Sequence, residues 1–202
     1  MSEVLLQRLP RAVRSLDDPP SPGAAPDPDL RDVLPSVIRA AAVLVPVVRR
    51  AEGASLLFTR RTDHLTQHAG QVSFPGGRAE PHDPDAVATA LRETNEEVGI
   101  DARLLQPFGY LDCLETISGY CVTPVVAWLD ARYRAQPDPR EVAEIFEVPL
   151  AFFLAPENLR RMRVEYRGRP REVLEFAWAG PRIWGATAAM LLNLVRRLEA
   201  TT

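Results

Sequence analysis

The segment from Phe74 to Ile100, FPGGRAEPHDPDAVATALRETNEEVGI, places Glu93, Glu96 and Glu97 within five residues, shortly after two glycines. In a helix, Glu93 and Glu97 project side by side because they lie four residues apart, and like charges at this spacing repel. Carboxylate oxygens are ligands for hard cations, and a bound cation would relieve the repulsion. The pattern therefore indicates a divalent-metal site, with a solvated acidic helix face as the plainer alternative.

Two neighbouring features favour the metal site. The pair Gly76-Gly77 allows a close backbone approach, so that Gly77 could offer a carbonyl ligand or leave room for a phosphate. Arg92 can pair with Glu96 or a loop acid and fix the orientation of a carboxylate. Mg²⁺ normally takes a few protein carboxylates and completes its shell with water and substrate phosphate oxygens. The segment therefore predicts a Mg²⁺ site that binds a polyphosphate.

These acids require a helix with defined ends. Asp83 followed by Pro84 predicts the start, because aspartate caps free N–H groups and proline suits the first helical position. Gly99 predicts the end. At about 100° per residue, one side of the helix is mostly apolar, and we expect the other side to face solvent with its polar residues Thr89, Arg92, Glu93, Glu96 and Glu97.

The rest of the chain alternates strand and helix patterns. Strands are predicted at 37–48, 54–61, 107–114 and 120–129, a hairpin at 162–177, and amphipathic helices at 4–16 and 183–198. The proline-rich stretch 17–29 predicts an extended linker. We therefore predict that residues 1–36 form a helix and linker packing on or preceding the domain. Residues 37–202 form one α/β or α+β sandwich.

The amino-acid composition excludes some classes of binding partner. The 202 residues are 46% hydrophobic, carry a net charge of -3 and have a pI near 5.7, so neither nucleic acid nor an anionic membrane surface is an expected partner. No apolar run approaches the roughly 20 residues that span a bilayer, and the N-terminus lacks a secretory pattern. We expect a cytoplasmic protein, in which Cys113 and Cys121 are free thiols.

The acidic segment resembles the Nudix box, G-x5-E-x7-R-E-U-x-E-E-x-G-U, where U is a bulky aliphatic residue. The match runs from Gly77 through Arg92 and Glu93 to Ile100. The sequence departs from the box in three ways: Asp83 stands where glutamate is expected, eight residues instead of seven then lead to Arg92, and Thr94 occupies an aliphatic slot. The resemblance implies the Nudix fold, a mixed β-sheet between helices, and a requirement for Mg²⁺ or Mn²⁺.

Three further segments are similar to the coenzyme A diphosphatase branch of the Nudix hydrolases: LLFTRRTDHLTQHAGQVSFPGG (56–77), PREVAEIFEVPL (139–150) and IWGATAAML (183–191). The resemblance extends over about residues 37–192. It implies hydrolysis of the diphosphate of coenzyme A or acyl-coenzyme A to adenosine 3′,5′-bisphosphate and (acyl-)4′-phosphopantetheine. The alternatives are another Nudix activity, on ADP-ribose, NADH or an oxidised nucleotide, and a non-catalytic nucleotide sensor, which the intact RETNEE motif argues against.

The resemblance assigns roles residue by residue. Glu93 and Glu97 fall on the helix metal ligands, Glu96 is a further ligand or a water-orienting group, and the Gly77 region supplies backbone. The general base is left open among Glu141, Glu144 and Glu147, with Glu141 ahead of Glu144 because it matches the EV pattern of the branch. A solvated acidic segment is the alternative for all three.

Substrate contacts are predicted around the same loop. Arg60 and Arg61 could clamp the 3′-phosphate that distinguishes coenzyme A, although they are equally plausible as strand-end charges. His64 and His68 fit loop positions near substrate better than zinc ligation. Phe74 is a candidate substrate contact, although Phe74 and Trp184 are residue types found more often in a core. The expected partner is a small-molecule diphosphate, and homodimerisation is left open.

Overall fold

The computed structural model describes residues 2–21, 34–66, 68–166 and 168–201. The predicted linker at 17–29 therefore lies largely outside the described residues. In chain order the main elements are α1 (Ser2–Ala12), β1 (Arg39–Arg50), β2 (Gly53–Arg61), β3 (Val72–Ser73), β4 (Gly76–Arg78), α2 (Ala86–Val98), β5 (Leu105–Tyr110), β6 (Leu114–Glu115), β7 (Tyr120–Leu129), β8 (Val142–Pro149), α3 (Leu150–Phe153), β9 (Leu159–Tyr166), β10 (Arg169–Phe176), β11 (Ile183–Trp184) and α4 (Gly185–Ala200).

The larger sheet is mixed. Its main path runs β3-β2-β1-β7-β5, with β4 added to β1, β6 to β7 and β8 to β2. The β1 and β7 strands are parallel, while the other pairs within this sheet are antiparallel. A smaller antiparallel sheet has the order β11-β10-β9. The predicted hairpin at 162–177 is confirmed as β9 and β10.

Helices cover both faces of the larger sheet. Because alternate residues of a strand point to opposite faces, β1 contributes side chains to the core on each face. On β1, Leu44 and Val48 pack in the cluster that includes Ala90 and Val98 of α2. Val45 and Val47 belong to the other cluster, which also contains residues of α1, α3 and α4. The predicted arrangement, a mixed sheet between helices, is confirmed.

The prediction of free cysteines is wrong for this structure, which joins Cys113 and Cys121 in a disulfide. Cys121 lies in β7 opposite Glu115 of β6, and Cys113 immediately precedes β6. The hairpin thereby brings the two Cα atoms to 6.2 Å, within the range that a disulfide can bridge. A spacing of eight residues in the sequence does not reveal this pairing, and the two cysteines do not indicate a reducing compartment.

No helix among the described residues is long and apolar enough to cross a membrane.

Candidate active site

The acidic helix α2 begins two residues later than the sequence predicts. Asp85, not Asp83, is the N-cap, and its carboxylate accepts a hydrogen bond of 2.8 Å from the backbone N–H of Ala88. Gly99 ends the helix as predicted, in the left-handed conformation with φ of 64°. Both aspartates are reasonable caps by residue type. The deciding factor is tertiary, because the Asp83 carboxylate has other partners.

Asp83 and Arg92 form a brace between the loop and the helix. The Arg92 guanidinium donates to both carboxylate oxygens of Asp83, at 3.1 and 2.9 Å, and to the carbonyl of Arg78 at 3.1 Å. Hydrogen bonds from Arg92 and from the backbone N–H of Glu80 lower the pKa of Asp83, so this acid stays ionised. The same guanidinium reaches Glu93 at 2.9 Å and Glu96 at 3.0 Å. Arg92 therefore orients two of the three helix glutamates.

Glu97 is buried, contrary to the expectation that the acidic side of the helix faces solvent. Its exposed fraction is 4%, and its carboxylate accepts a 3.0 Å hydrogen bond from the backbone N–H of Gly76. Gly76 has φ of 154°, and a Cβ there would lie 2.4 Å from the carbonyl oxygen of Ala42. Only glycine can therefore hold the chain close enough to β1 for this contact.

Glu93 lies against the second glycine of the pair. A Cβ on Gly77 would come within 2.6 Å of both carboxylate oxygens of Glu93, so any side chain there would displace them. Glu93 is partly buried, whereas the side chain of Glu96 is 58% exposed. The glycine pair thus makes room for the two glutamates that the box pattern assigns to metal binding, while Glu96 reaches solvent.

Burial and neighbouring negative charges raise the pKa values of Glu93 and Glu97. Burial raises the pKa of Glu97 to about 7, and the charges of Glu141 and Glu93 add to this rise, while Gly76 and Arg61 oppose it. Burial likewise raises the pKa of Glu93, partly offset by Arg92. A cation bound beside these groups would favour their ionised forms and so oppose both shifts.

The loop before β8 brings a fourth acid, Glu141, close to the helix. Arg61, the last residue of β2, lies 3.5 Å from Glu97 and 3.9 Å from Glu141, and it joins the two acids. We call Glu93, Glu96, Glu97 and Glu141 the acid cluster. The backbone N–H of Thr62 donates to the carbonyl of Glu141 at 2.9 Å, which fixes this loop beside the end of β2.

The other acids of the 141–147 segment have different partners. Glu144 lies 3.4 Å from Arg60, which also donates to Asp63 at 3.2 Å. Glu147 accepts hydrogen bonds from Arg50 and, at 2.7 Å, from the hydroxyl of Tyr133. Of the three candidates for a general base, only Glu141 contributes to the raised pKa values of Glu93 and Glu97.

The residues predicted to contact substrate differ in their exposure. Phe74 is 2% exposed and its ring stacks on Phe58 with centroids 4.8 Å apart, so its assignment to substrate binding is wrong: the pattern could not distinguish a core ring from a loop ring. Trp184 packs under the guanidinium of Arg182. His68 is exposed in a left-handed conformation and bonds Gln71 at 2.9 Å, and its role stays a prediction.

The acid cluster fits a hard divalent cation by donor type. Within the described part of the chain, no three His, Cys, Asp or Glu side chains are already gathered closely enough to hold a metal ion. Arg92 and Arg61 face carboxylate oxygens of Glu93 and Glu97 that a metal would take. Buried carboxylates with raised pKa values, beside a glycine that leaves them space, nevertheless match the oxygen ligands such ions prefer.

Comparison with known proteins identifies the family. A family model described as "NUDIX domain" matches residues 38–175. The chain belongs to the Nudix family. A protein of Yersinia pestis named "Uncharacterized Nudix hydrolase NudL" is 41% identical over 161 residues, 80% of each chain, and a relative of the same name from Yersinia pseudotuberculosis matches equally.

Solved Nudix structures resemble this chain more distantly. A Nudix hydrolase from M. smegmatis, RenU, is 24% identical with a TM-score of 0.49, covering 56% of this chain and 71% of that one. A C. elegans Ap4A hydrolase complex is 23% identical with a TM-score of 0.48, covering 55% and 80%.

Membership of the family makes this chain a Nudix hydrolase with the Nudix fold, acting on a nucleoside diphosphate derivative. Nudix hydrolases generally use divalent metal ions. The sequence did not identify Asp83 as the loop acid that pairs with Arg92, the Gly76 N–H donor or the inward direction of Arg61. The glycine pair was the one available signal for the donor, whereas the other two depend on contacts between segments distant in the chain.

Proposed function

We propose that this Nudix hydrolase cleaves the diphosphate of coenzyme A or acyl-coenzyme A, releasing adenosine 3′,5′-bisphosphate and (acyl-)4′-phosphopantetheine. The observation that carries the chemistry is the convergence of Glu93 and Glu97 of α2 with Glu141 from the loop before β8, beside Gly76-Gly77. The support for the substrate is the resemblance of segments 56–77 and 139–150 to the coenzyme A branch.

The roles of the site residues follow from their positions. Glu93 and Glu97 would hold Mg²⁺ or Mn²⁺ with the backbone at Gly77, and Glu96 would be a further ligand or orient water. When bound, such an ion neutralises the diphosphate and lowers the pKa of water. Arg92 fixes the carboxylates of Glu93 and Glu96 through hydrogen bonds of 2.9 and 3.0 Å.

Glu141 is the proposed general base. It would accept a proton from the water that attacks one phosphorus, while the bridging P–O bond breaks and its oxygen leaves with the other phosphate. Its side chain is 49% exposed, so water can reach it, and it stands beside Glu97 through Arg61. Glu144, paired with Arg60, is the alternative.

The 3′-phosphate of coenzyme A provides the test of substrate choice. Arg60 is the better candidate of the two arginines for this phosphate, because Arg61 is directed at the acid cluster and the partners of Arg60 are exposed acids. A charge-assisted contact contributes ~1.5–3 kcal/mol, so coenzyme A should be preferred to 3′-dephospho-coenzyme A by about ten- to hundredfold in kcat/KM.

The experiment compares kcat/KM for coenzyme A, 3′-dephospho-coenzyme A, ADP-ribose and NADH, with Mg²⁺ and with Mn²⁺, and identifies products by mass spectrometry. Arg60→Ala should remove the preference for the 3′-phosphate, since both substrates then lack the contact, with Arg61→Ala as the matched neighbour. If ADP-ribose or NADH is best by tenfold or more, the coenzyme A assignment fails. If coenzyme A is best and neither arginine matters, only the placement of the 3′-phosphate is wrong.

A further inference from the structure

Arg61 occupies an unusual position for a strand-end arginine, because its guanidinium is turned into the acid cluster. Nη1 lies 3.5 Å from a Glu97 oxygen and Nη2 lies 3.9 Å from a Glu141 oxygen. The first acid belongs to α2 and the second to the loop before β8. Arg61 is therefore the cation that links the helix to this loop.

The contacts of Arg61 differ in kind from those of Arg92. Arg92 makes hydrogen bonds of 2.9 to 3.1 Å with Asp83, Glu93, Glu96 and the carbonyl of Arg78. Both contacts of Arg61 exceed the usual N–H···O range of about 2.7–3.2 Å. Its Nε is also buried and has no hydrogen-bond acceptor among the residues that the structure describes. Arg92 is thus fixed by directional bonds, whereas Arg61 is held mainly by charge.

We propose that Arg61 is the internal counter-cation of the acid cluster in the metal-free protein, and that a divalent cation displaces its guanidinium from Glu97. The proposal rests on the metal site of the proposed function. Glu93, Glu97 and Glu141 carry up to three negative charges, and a metal ion must compete with Arg61 for the Glu97 oxygens. Once displaced, the guanidinium keeps Glu141 as its partner. Arg61 is accordingly a positioning residue that tunes metal affinity.

The test measures Mn²⁺ binding by calorimetry, without substrate, for the wild type and four variants. Arg61→Gln and Arg61→Ala remove the competing charge, so both should bind Mn²⁺ about three- to tenfold more tightly, the effect of losing one partly exposed ion pair. Arg61→Lys keeps the charge and should bind close to wild type. Arg60→Ala is the matched control, because Arg60 pairs with Asp63 and Glu144 instead of the acid cluster, and its Mn²⁺ affinity should not change.

Thermal unfolding gives a second readout. Without metal, Arg61→Gln should melt lower than the wild type, because Glu97 then lacks its nearest cation, and saturating Mn²⁺ should raise its Tm by more than it raises that of the wild type. Unchanged or weaker Mn²⁺ binding in a folded Arg61→Gln protein would overturn the proposal.

A measurement on the wild type removes any dependence on whether the variants fold. Titration with Mg²⁺, followed by NMR of arginine Nε–H groups, should shift the signal of Arg61 more than that of Arg92, whose Nε–H stays bonded to Asp83. A shift of Arg92 with Arg61 unmoved would contradict the proposal. Because binding is measured without substrate, a protein that binds metal but does not cleave coenzyme A refutes the substrate alone. A protein that binds neither metal refutes both proposals.

Discussion

Glu97 combines a buried carboxylate with a raised pKa, and this combination predicts the outcome of its substitution. Glu97→Gln should lower kcat/KM by at least about a hundredfold, since it removes a proposed metal ligand while the amide oxygen can still accept the Gly76 N–H. Without metal, the variant should be more stable than wild type at pH 8 by about 3–4 kcal/mol. The reason is that folding there has to bury an ionised Glu97 whose pKa is about 7, against about 4.3 unfolded.

The raised pKa of Glu97 determines how the stability difference between the variant and the wild type changes with pH. The folded-state pKa of Glu97 is raised, so its penalty is absent below about pH 4 and grows as the pH rises toward 7. Chemical denaturation at several pH values, in the presence of a chelator, should show the two proteins converging at low pH. Full activity of Glu97→Gln at saturating Mg²⁺ would exclude Glu97 from the site.

Glu141 and Glu144 offer a matched comparison three residues apart in the same segment. Glu141→Gln should reduce kcat by about 10²–10⁴-fold if Glu141 is the general base, and Glu144→Gln should reduce it far less. The physical reason is position, because Glu141 stands beside Glu97 through Arg61 while Glu144 is paired with Arg60. Steady-state kinetics on the best substrate decides the ranking. A larger loss for Glu144→Gln would reassign the base, and no loss for either would place it on α2.

At the scale of elements, an ion pair connects β8 to β1. Glu147 of β8 accepts hydrogen bonds from Arg50 of β1 and from the hydroxyl of Tyr133 in the loop after β7. Burial opposes the ionisation of Glu147, but the bonds from Arg50 and Tyr133 outweigh it and lower its pKa. The strand that follows Glu141 is therefore anchored by a group that must stay charged.

Glu147→Gln should reduce the free energy of unfolding by about 1–3 kcal/mol at pH 7. Because the folded-state pKa is lowered, this contribution is complete above the unfolded value of about 4.3 and is lost as the pH falls through the folded value. Urea unfolding at pH 7, 5, 4 and 3 should show the difference from wild type shrinking with acid. The exposed Glu157→Gln serves as the control, and a difference that stays constant with pH would contradict the charge-based explanation.

At the scale of the molecule, the two ends of the chain are packed together. Leu9 of α1 is fully buried in the cluster that contains Leu191, Leu194 and Leu198 of α4. Arg8 donates to the carbonyl of Leu198, and Arg197 donates to the carbonyl of Ala12 at 3.4 Å. The N-terminal helix thus contributes to the core on the face of the sheet opposite α2.

Leu9→Ala should therefore cost about 2–5 kcal/mol of stability, the range for truncating a buried leucine. Val4→Ala on the same helix is the control, because Val4 is 59% exposed and its truncation should cost less than about 0.5 kcal/mol. Equilibrium unfolding of both variants is the measurement. Equal and small effects would show that α1 packs only loosely on the domain.

Local patterns in the sequence predicted many of the elements, but not β8, and the strand predicted at 107–114 ends at Tyr110 in β5. Strand periodicity predicted β2 to within one residue and the β9–β10 hairpin to within three, and Gly99 marked the end of α2. The spacing of Glu93, Glu96 and Glu97 predicted their presence on one helix. These properties depend on residues close together in the chain, so the sequence determines them directly through backbone geometry and hydrophobic alternation.

Only the tertiary structure decided the properties that depend on distant segments. Asp85 and not Asp83 is the cap because Arg92, about two turns along the helix, binds the carboxylate of Asp83. Glu97 is buried because the glycine pair on β4 brings the sheet up to the helix, and Glu141 lies near Arg61 because the loop before β8 is bonded beside the end of β2. Burial and charge contacts between such segments arise from the packing of the whole chain, which the spacing of residues along the sequence does not encode locally.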